Sequence, residues 1–312
     1  MIRFVATTTS GKEYELPCIK RFRFYSDEAA PADLLIFVAI VDSRLFEFAF
    51  VRIFVDKKLF FDGVVDEQVT KQCNNNFELK IVARNRTAIL LDNQAKPGLY
   101  KNVSLTEIFE RHVKCHGFKE MLTDGNPKLE SLLVKIRASE WHVLELFCKR
   151  AMGILPRISA DGVLDVRKKV PGKLLNFKNT GGGQIYSSVS VTNRRYGAVS
   201  SVYVKGQNHE YGVCVPNLKA IGHETQIKRY IETPREYSGD GLKYAQEYIE
   251  KKNRNSFVVD ILAPGIVEVR VGDVVNFEGE KLHFEGLTVS GVEHEMSEKQ
   301  IVTKVRAYRE RG

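Results

Sequence analysis

Alternation of apolar and polar residues dominates the first third of the chain. Over residues 46–84, three such runs are separated by a charged turn at Asp56 to Lys58 and a polar turn at Asn74 to Asn76. Since a period of two places alternate side chains on opposite faces of a strand, the runs predict a β meander with one buried side. In the last strand of this meander, the residues expected to face the core are Phe77, Leu79, Ile81 and Ala83.

Helical spacing replaces this alternation after Pro97. Ser104 and Glu107 have the spacing of a capping box and predict a helix that runs up to Gly117. A second helix should begin near Ser139 and end at Gly153, and an Asp-Gly turn then predicts a hairpin of two short strands. Residues 97–178 are therefore interpreted as an α/β insert.

The C-terminal part returns to strand-like patterns. A strand is expected over 195–207, then a loop of about 20 residues, and then a helix introduced by Ser238 and Asp240. Four further strand-like runs follow: FVVDILA, IVEVRVGDVVNFE, KLHFEGLTVSGVEHE and QIVTKVRAYRE. They predict a twisted sheet closed into a barrel or sandwich. The buried face expected for the helix consists of Leu242, Ala245 and Ile249.

These patterns divide the chain into three segments, 1–96, 97–178 and 179–312. The triple glycine Gly181, Gly182 and Gly183 lies at the last boundary and predicts a linker or hinge. A phosphate-binding loop is the alternative, but it needs a preceding strand and a following helix with a lysine. Here a strand-like run follows instead, which favours the hinge.

Composition narrows the class of protein. The chain has 47 Lys and Arg against 39 Asp and Glu, a formal charge of +8, which permits an acidic partner or phosphate without requiring either. The five cysteines lack a CxxC pair and are typical of reduced thiols, and no export signal is recognisable. The ten-residue apolar run Ala32–Val41 is too short to cross a membrane. It predicts a buried strand, with an exposed association edge as the alternative.

Two histidine clusters are candidates for metal binding. His112, Cys115 and His116 lie within one helical turn, but a tetrahedral site needs a further ligand that no recognisable spacing supplies. The alternative is a helix end, with His112 partly packed and His116 near the last carbonyl groups. The second cluster is interpreted as solvated strand polarity, because alternation separates His294 from its two glutamate neighbours; its members are His283, Glu293, His294 and Glu295.

The sequence gives weak support to the hypotheses of an enzyme and of a nucleic-acid-binding protein. No nucleophile elbow, HExxH motif or phosphate loop is present. Asp62, Asp66 and Glu67 resemble a glycosidase pair, although Gly63 more simply relieves crowding between strands. Residues 21–25, RFRFY, fit a base-stacking strand or, alternatively, a strand that buries Phe22 and Phe24. The sequence thus predicts no enzyme and no cofactor.

One pair of motifs resembles a known family. The first is Phe61-x-Gly63-x-Val65-Asp66, and the second runs A-R-N-R-T-A-x-L-L-D from Ala83 to Asp92. Together they resemble the baseplate hub proteins of contractile phage tails, the late-control protein D group with its Mu-type and T4-type hubs, and the N-terminal part of type VI secretion VgrG spike proteins. Asn85 departs from the pattern, which frequently has Asp there. The matching positions are Gly63, Asp66, Arg84, Thr87, Leu91 and Asp92.

The resemblance implies a fold and an assembly. The fold would be α+β, mostly β, with two tail-tube-like β-barrel domains and smaller α/β inserts. Three chains would form a homotrimer that joins a sixfold tail tube to a threefold central spike, among other baseplate proteins, with no membrane and no sequence-specific nucleic acid as partner. The particle would be a phage, an R-type bacteriocin or a related injection system assembled in the bacterial cytoplasm.

No catalytic or metal-binding residue follows from the resemblance. Gly63, Asp66, Arg84, Thr87 and Asp92 are instead expected at a structural corner where the first barrel meets the insert, bonded locally or across a subunit boundary. Two other functions stay open: a tail-associated cell-wall hydrolase and a nucleic-acid-binding β-barrel protein. The positive charge would line a lumen or face an acidic neighbour.

Overall fold

The computed structural model describes residues 2–42, 47–73, 76–168, 172–206, 210–222, 224–234 and 240–309. The protein is 52% strand and 18% helix, which confirms the mostly β class. Of the sequence features above, Asn74, Asn75, Gln207 and Ser238 lie outside the described residues. Among the described helices, none is both long and apolar enough to cross a membrane.

The chain forms two compact units. The first comprises Met1–Gly172, Pro264–Arg270 and Gly291–Thr303, and the second comprises Lys173–Ala263, Val271–Ser290 and Lys304–Gly312. C-terminal residues therefore contribute to both units. The division into 1–96, 97–178 and 179–312 stays a prediction.

Residues up to 168 supply most elements of the first unit. In chain order they are β1 (Ile2–Thr8), β2 (Glu13–Glu15), β3 (Cys18–Asp27), β4 (Ala30–Val41), β5 (Phe48–Val55), β6 (Lys58–Cys73), β7 (Asn76–Asn85), α1 (Thr87–Asp92), β8 (Gly98–Ser104), α2 (Leu105–His112), β9 (Glu120–Leu122), β10 (Lys128–Val134), α3 (Glu140–Met152), β11 (Arg157–Ile158) and β12 (Val163–Asp165).

The main sheet of the first unit is antiparallel, in the order β3-β4-β7-β6-β5-β1-β2. Residues Gly291–Met296 pair with β3 at the other end of this order. The meander β5-β6-β7 is confirmed, and its first turn places Asp56 and Lys57 at positive φ, as a two-residue hairpin requires. Leu79, Ile81 and Ala83 are fully buried, and so is much of β4, as the alternation and the apolar run predict.

The predicted barrel closure is wrong for the described residues. In the first unit the hydrogen-bonded order ends at β2, which pairs only with β1. A three-residue strand containing Glu13 and Glu15 is a poor template for further pairing, because it is short and charged. The sheet therefore stays open at this edge.

The insert has its own apolar core in the first unit. The Ser104–Glu107 capping box forms, α2 continues into a 3-10 turn, and α3 begins with the Ser139 side chain accepting a hydrogen bond from the His142 N–H. The hairpin β11-β12 forms around the predicted Asp-Gly turn. The core is formed mainly by Leu105, Ile108, Leu132, Trp141, Leu144, Phe147 and Cys148.

The remaining elements lie mainly in the second unit, although β20 and β21 also contribute residues to the first. They are β13 (Leu174–Lys178), β14 (Ser188–Asn193), β15 (Ser201–Val204), β16 (Val213–Pro216), α4 (Leu218–Gly222), β17 (Lys228–Ile231), α5 (Gly241–Arg254), β18 (Phe257–Pro264), β19 (Val274–Glu278), β20 (His283–Met296) and β21 (Ile301–Arg309).

Two sheets organise the second unit. The larger has the order β14-β18-β21-β20-β19-β13, again with an open end at β14 among the described strands. The smaller has the order β16-β15-β17, and its β15 lies within the strand expected over 195–207. The other two strands and helix α4 occupy the stretch that the sequence assigned to a loop. Ala245 and Ile249 of α5 pack against the buried valines of β15.

Two expectations for this region are wrong. Leu242 is 54% exposed, although the neighbouring Gly241 lies against Val204 of β15. No strand forms over 266–272, although Val267 and Val269 are buried. The Val269 N–H instead donates to the Val267 carbonyl at 2.9 Å, so a tight turn reproduces the burial pattern of a strand.

Candidate functional site

The predicted corner residues converge where β7 ends and α1 begins. Arg84 makes a two-pronged contact with Asp66 of β6, through Nε to Oδ2 at 2.7 Å and Nη2 to Oδ1 at 2.9 Å. Nη2 also donates to Oδ2 of Asp92 in α1, at 2.6 Å. One guanidinium therefore ties a strand to a helix, and it lowers the pKa of the Asp92 carboxyl.

Arg86 forms a second ion pair beside the first. Its Nε donates to Asp62 of β6, and its guanidinium lies 4.9 Å from the ring centre of Phe50 in β5. The Arg86 backbone N–H also donates to the Asp62 carbonyl, at 3.3 Å. Asp62 and Asp66 are the candidate glycosidase carboxylates. Each of them is thus bonded to an arginine. Neither carboxylate is placed as a free acid or base.

Asn85 bonds on the interior side of the corner. Its Nδ2 donates to Asp33 Oδ2 at 2.9 Å, and its Oδ1 accepts from the Thr87 N–H at 3.2 Å. The second bond is an Asx turn that supplies a partner to an amide in the first turn of α1. Burial raises the pKa of Asp33, although the bond from Asn85 opposes this rise. An aspartate at position 85 would place a second carboxylate against Asp33.

Gly63 and Thr87 lie in the most tightly packed part of the corner. A Cβ atom at Gly63 would lie 2.6 Å from the Phe61 ring and closer still to the Arg84 carbonyl oxygen. The glycine therefore permits the close approach of β6 and β7. Thr87 is fully buried, and its hydroxyl has no hydrogen-bond partner among the described residues.

The structure thus brings together all five predicted corner residues. Sequence reasoning missed Asp33 as the partner of Asn85, and Asp62 as the partner of Arg86. Asp33 lies on β4 and is separated from Asn85 by 52 positions, so only the strand register places them together. The role of the cluster as an architectural corner stays a prediction at this point.

The first histidine cluster is organised by an unexpected glutamate. His112 is buried and its Nδ1 bonds to Glu140, while His116 Nε2 lies 3.6 Å from the other carboxylate oxygen of Glu140. His116 therefore faces a carboxylate in α3 as well as lying at a helix end. Among the described residues, no group of three or more His, Cys, Asp or Glu side chains is arranged to hold a metal ion.

His294 is buried, and its interpretation as solvated polarity is wrong. It is only 1% exposed and packs against the rings of Phe24 and Phe60. Its Nδ1 lies 2.9 Å from the Thr303 hydroxyl, which donates to the Gly265 carbonyl at 2.7 Å. Since that hydroxyl gives its one proton to the Gly265 carbonyl, Nδ1–H donates to the hydroxyl oxygen. Burial lowers the pKa of His294 to about 4.

The side chains of residues 21–25 alternate between the two faces of strand β3. Phe22 and Phe24 are buried, as the strand interpretation of RFRFY requires. Arg23 points the other way and bonds to Glu295 on the paired strand, at 2.7 Å. These two phenylalanines therefore lie in the core of the first unit, where they are not available to stack on bases.

The glycine run forms a tight turn in the second unit. Gly181 and Gly182 have φ values of 69° and 80°, which other residues rarely adopt. The Lys178 N–H donates to the Gln184 carbonyl at 3.0 Å, so the turn folds back on β13. A hinge function at Gly181 to Gly183 stays a prediction.

Comparison with known proteins identifies the fold. A tail protein from Neisseria meningitidis MC58 matches with a TM-score of 0.79 at 16% identity, covering 99% of this chain and 97% of that one. The 43 kDa tail protein of prophage MuSo2 from Shewanella oneidensis matches with a TM-score of 0.78 at 14% identity, covering 98% of both chains. The chain has the fold of phage tail proteins.

The same fold extends to secretion systems. A component of the E. coli type VI secretion system, itself similar to the T4 tail proteins gp27 and gp5, matches with a TM-score of 0.64 at 9% identity. That match covers 94% of this chain and 74% of the other. No protein-family model and no curated protein matches the sequence. The resemblance read from the two motifs is therefore confirmed at the level of the fold.

Proposed function

We propose that this protein is a structural baseplate hub of a contractile tail, acting as a homotrimer that joins a sixfold tail tube to a threefold central spike. The observation that carries the proposal is the match over 99% of the chain to a tail protein that is itself covered to 97%. An alignment of this extent leaves little of either chain outside the shared fold. A match over the whole chain supports a shared architectural role better than a match confined to one domain would.

Symmetry supplies the physical reason for such an adaptor. A closed ring repeats whatever interface each chain offers, so a trimer of single-unit chains presents three equivalent sites. A chain with two strand-rich units offers two, and three chains then offer six. The two compact units of this chain are compatible with that count.

The ion-paired corner would serve this role as architecture. Arg84 connects Asp66 in a strand to Asp92 in a helix, and these bonds fix the direction in which the chain enters the insert. A protein that transmits load between a tube and a spike benefits from rigid joints. We assign Gly63, Asp66, Arg84, Thr87 and Asp92 to this structural role.

A cell-wall hydrolase is less well supported. Asp62 and Asp66 are the carboxylates proposed for it, and each is bonded to an arginine instead of being free to contact a substrate. The proposed role is accordingly non-enzymatic. Its partners would be the tube protein, the spike protein and other baseplate proteins of a virion or tail particle.

Mass measurement with the partners tests the proposal. The chain has a mass of 35.5 kDa, so a trimer has three times this value, about 106 kDa. We expect mass photometry to show this species alone or after addition of the spike protein from the same particle, and electron microscopy to show threefold rings. A chain that stays monomeric with both tube and spike proteins would contradict the proposal, as would release of peptidoglycan fragments that Asp62→Asn abolishes.

A further inference from the structure

An apolar pair lies exposed on the outer face of the two-stranded sheet β8-β10. Leu99 and Leu133 are directly opposite each other in the register and are 56% and 53% exposed. The side chains that alternate with them, including Leu132 and Val134, are buried in the core of the insert. Ile136, just beyond β10, is 79% exposed. The inner face of this sheet is thus covered while its outer face carries aliphatic side chains in water.

The edges of the same sheet are also open. Among the described strands, β8 pairs only with β10, and β10 only with β8. Each strand therefore presents backbone N–H and C=O groups that another strand can pair with. Addition of an extended segment to such an edge is a recurrent mode of peptide recognition, in which backbone bonds give affinity and side-chain contacts give specificity. The outer leucine pair would supply those contacts.

Charge decides which occupant fits. Within the first unit, residues 97–172 contain 13 Lys and Arg against 9 Asp and Glu, an excess of +4, whereas residues 1–96 (14 against 13) are at +1. Lys101 follows Leu99 on the exposed side, Arg137 follows Ile136, and neither forms an ion pair with a described residue. A second copy of the chain would bring the same positive excess and be repelled.

We infer that the outer face of the β8-β10 sheet docks an extended acidic segment of a partner protein, which adds a strand and covers Leu99 and Leu133 with its own apolar residues. A nucleic acid would also be acidic, but recognition of its bases relies on aromatic stacking, and the exposed pair is aliphatic. The inference goes beyond the hub proposal, since it assigns a binding surface to the insert and does not require a trimer.

A pair of synthetic peptides tests the surface on the full chain. One alternates Glu and Val over about ten residues, the length of a strand, and the other replaces every Glu by Lys. We expect the Glu peptide to bind, by fluorescence anisotropy, with an affinity that falls as salt rises, and the Lys peptide not to bind. Hydrogen exchange should then slow at backbone amides of β8 or β10.

Two variants separate the apolar and charged contributions. The double substitution Leu99→Ser and Leu133→Ser should weaken binding of the Glu peptide about tenfold or more. Lys101→Gln with Arg137→Gln should weaken it and flatten the salt dependence. Leu122→Ser, at another exposed leucine of the same unit, is the matched control and should bind normally, and circular dichroism checks that each variant is folded.

Four other outcomes would overturn the inference. Absence of binding, equal binding of the Lys peptide, or unchanged binding by the double leucine variant would exclude an acidic strand as the occupant. A multimer that dissociates in the double leucine variant without peptide would assign the face to a second copy. Conversely, a trimer that persists in that variant while peptide binding is lost would support this surface independently of the hub proposal.

Discussion

Two turns that follow strands are held in contrasting ways, one in each unit. At the end of β7, in the first unit, side chains fix the turn, because Arg84, Asn85 and Arg86 each bind a carboxylate. After β13, in the second unit, glycines reverse the chain and a backbone bond between Lys178 and Gln184 closes it. The first turn therefore depends on charge and packing, and the second on backbone conformation.

This contrast teaches where each turn is vulnerable. A helix starts directly after the first turn, so its early amides need partners, and Asn85 supplies one of them. No helix follows the glycine turn, and no comparable set of amides has to be satisfied there. We expect the first turn to fail through single side-chain changes or acid, and the second mainly through loss of left-handed backbone freedom.

The largest effect should come from adding one methyl group at the first turn. In Gly63→Ala the new Cβ would overlap the Arg84 carbonyl oxygen and lie 2.6 Å from the Phe61 ring, both parts of a packed sheet. Strands β6 and β7 would have to separate. We expect a loss of about 3 kcal/mol in the free energy of unfolding, measured by urea denaturation, because overpacking of a close backbone contact is costly.

Gly183→Ala sharpens the comparison. There the closest atom is Cγ of Lys178, a flexible side chain that can move, with the Asn176 carbonyl oxygen next at 2.8 Å. The loss should be about half as large or less. Gly125→Ala meets nothing within 4 Å and serves as the neutral control. Equal losses at positions 63 and 183 would show that the two turns do not differ in how tightly their glycines are packed.

Acid should act on the first unit through His294. Its pKa falls to about 4 on burial, against about 6.5 in an unfolded chain. Between these values the unfolded state binds more protons, so this stabilising contribution is complete above pH 6.5 and is lost as the pH falls towards 4. The full loss is about 3 kcal/mol, at about 1.4 kcal/mol for each unit of pKa.

The variant His294→Gln isolates this contribution, because other carboxyl groups also titrate. Asp92, with its lowered pKa, weakens the fold in acid, whereas Asp33, with its raised pKa, opposes that trend. Urea denaturation at pH 7 and at pH 4.5 should show the wild type losing about 2 kcal/mol more than the variant. An identical pH dependence in both proteins would mean that His294 is accessible to protons in the folded state.

Strand β7 and the starts of helices α2 and α3 were predictable because their sequence signals are local. The alternation in β7, the Ser104 capping box and the Ser139 helix start each depend on neighbours within a few residues. Gly63, Arg84 and Asp92 could be grouped through family motifs. Asp33 could not, because its pairing with Asn85 depends on the register between β4 and β7, which no local pattern states.

Prediction failed where tertiary contacts replace local rules. Alternation around Val267 and Val269 gave the correct burial and the wrong element, because a turn also places these side chains inside. His294 has the polarity of a surface strand residue, and only the three-dimensional position of Thr303 and two phenylalanines explains its burial. The open sheet of the first unit differs from the expected barrel because hydrogen bonding at β2 ends after three residues.

The smallest expected effect concerns the ion pair itself. Arg84→Gln removes the bonds to Asp66 and Asp92 and leaves the partly buried Asp66 without its cation. We expect a loss of about 1–2 kcal/mol in the free energy of unfolding, because a partly buried carboxylate loses its hydrogen-bond donors while water replaces some of them. Urea denaturation in low and high salt measures it.

Arg23→Gln is the matched control for this prediction. Its pair with Glu295 has the same 2.7 Å distance, but both side chains are more exposed, so the loss should stay below about 0.5 kcal/mol. Combining Arg84→Gln with Asp66→Asn should cost less than the sum of the single changes, because the double variant leaves no unpaired charge at position 66. If the Arg84 and Arg23 variants lose equal stability, the corner is held by backbone pairing, as the glycine turn is, and the distinction between the two turns disappears.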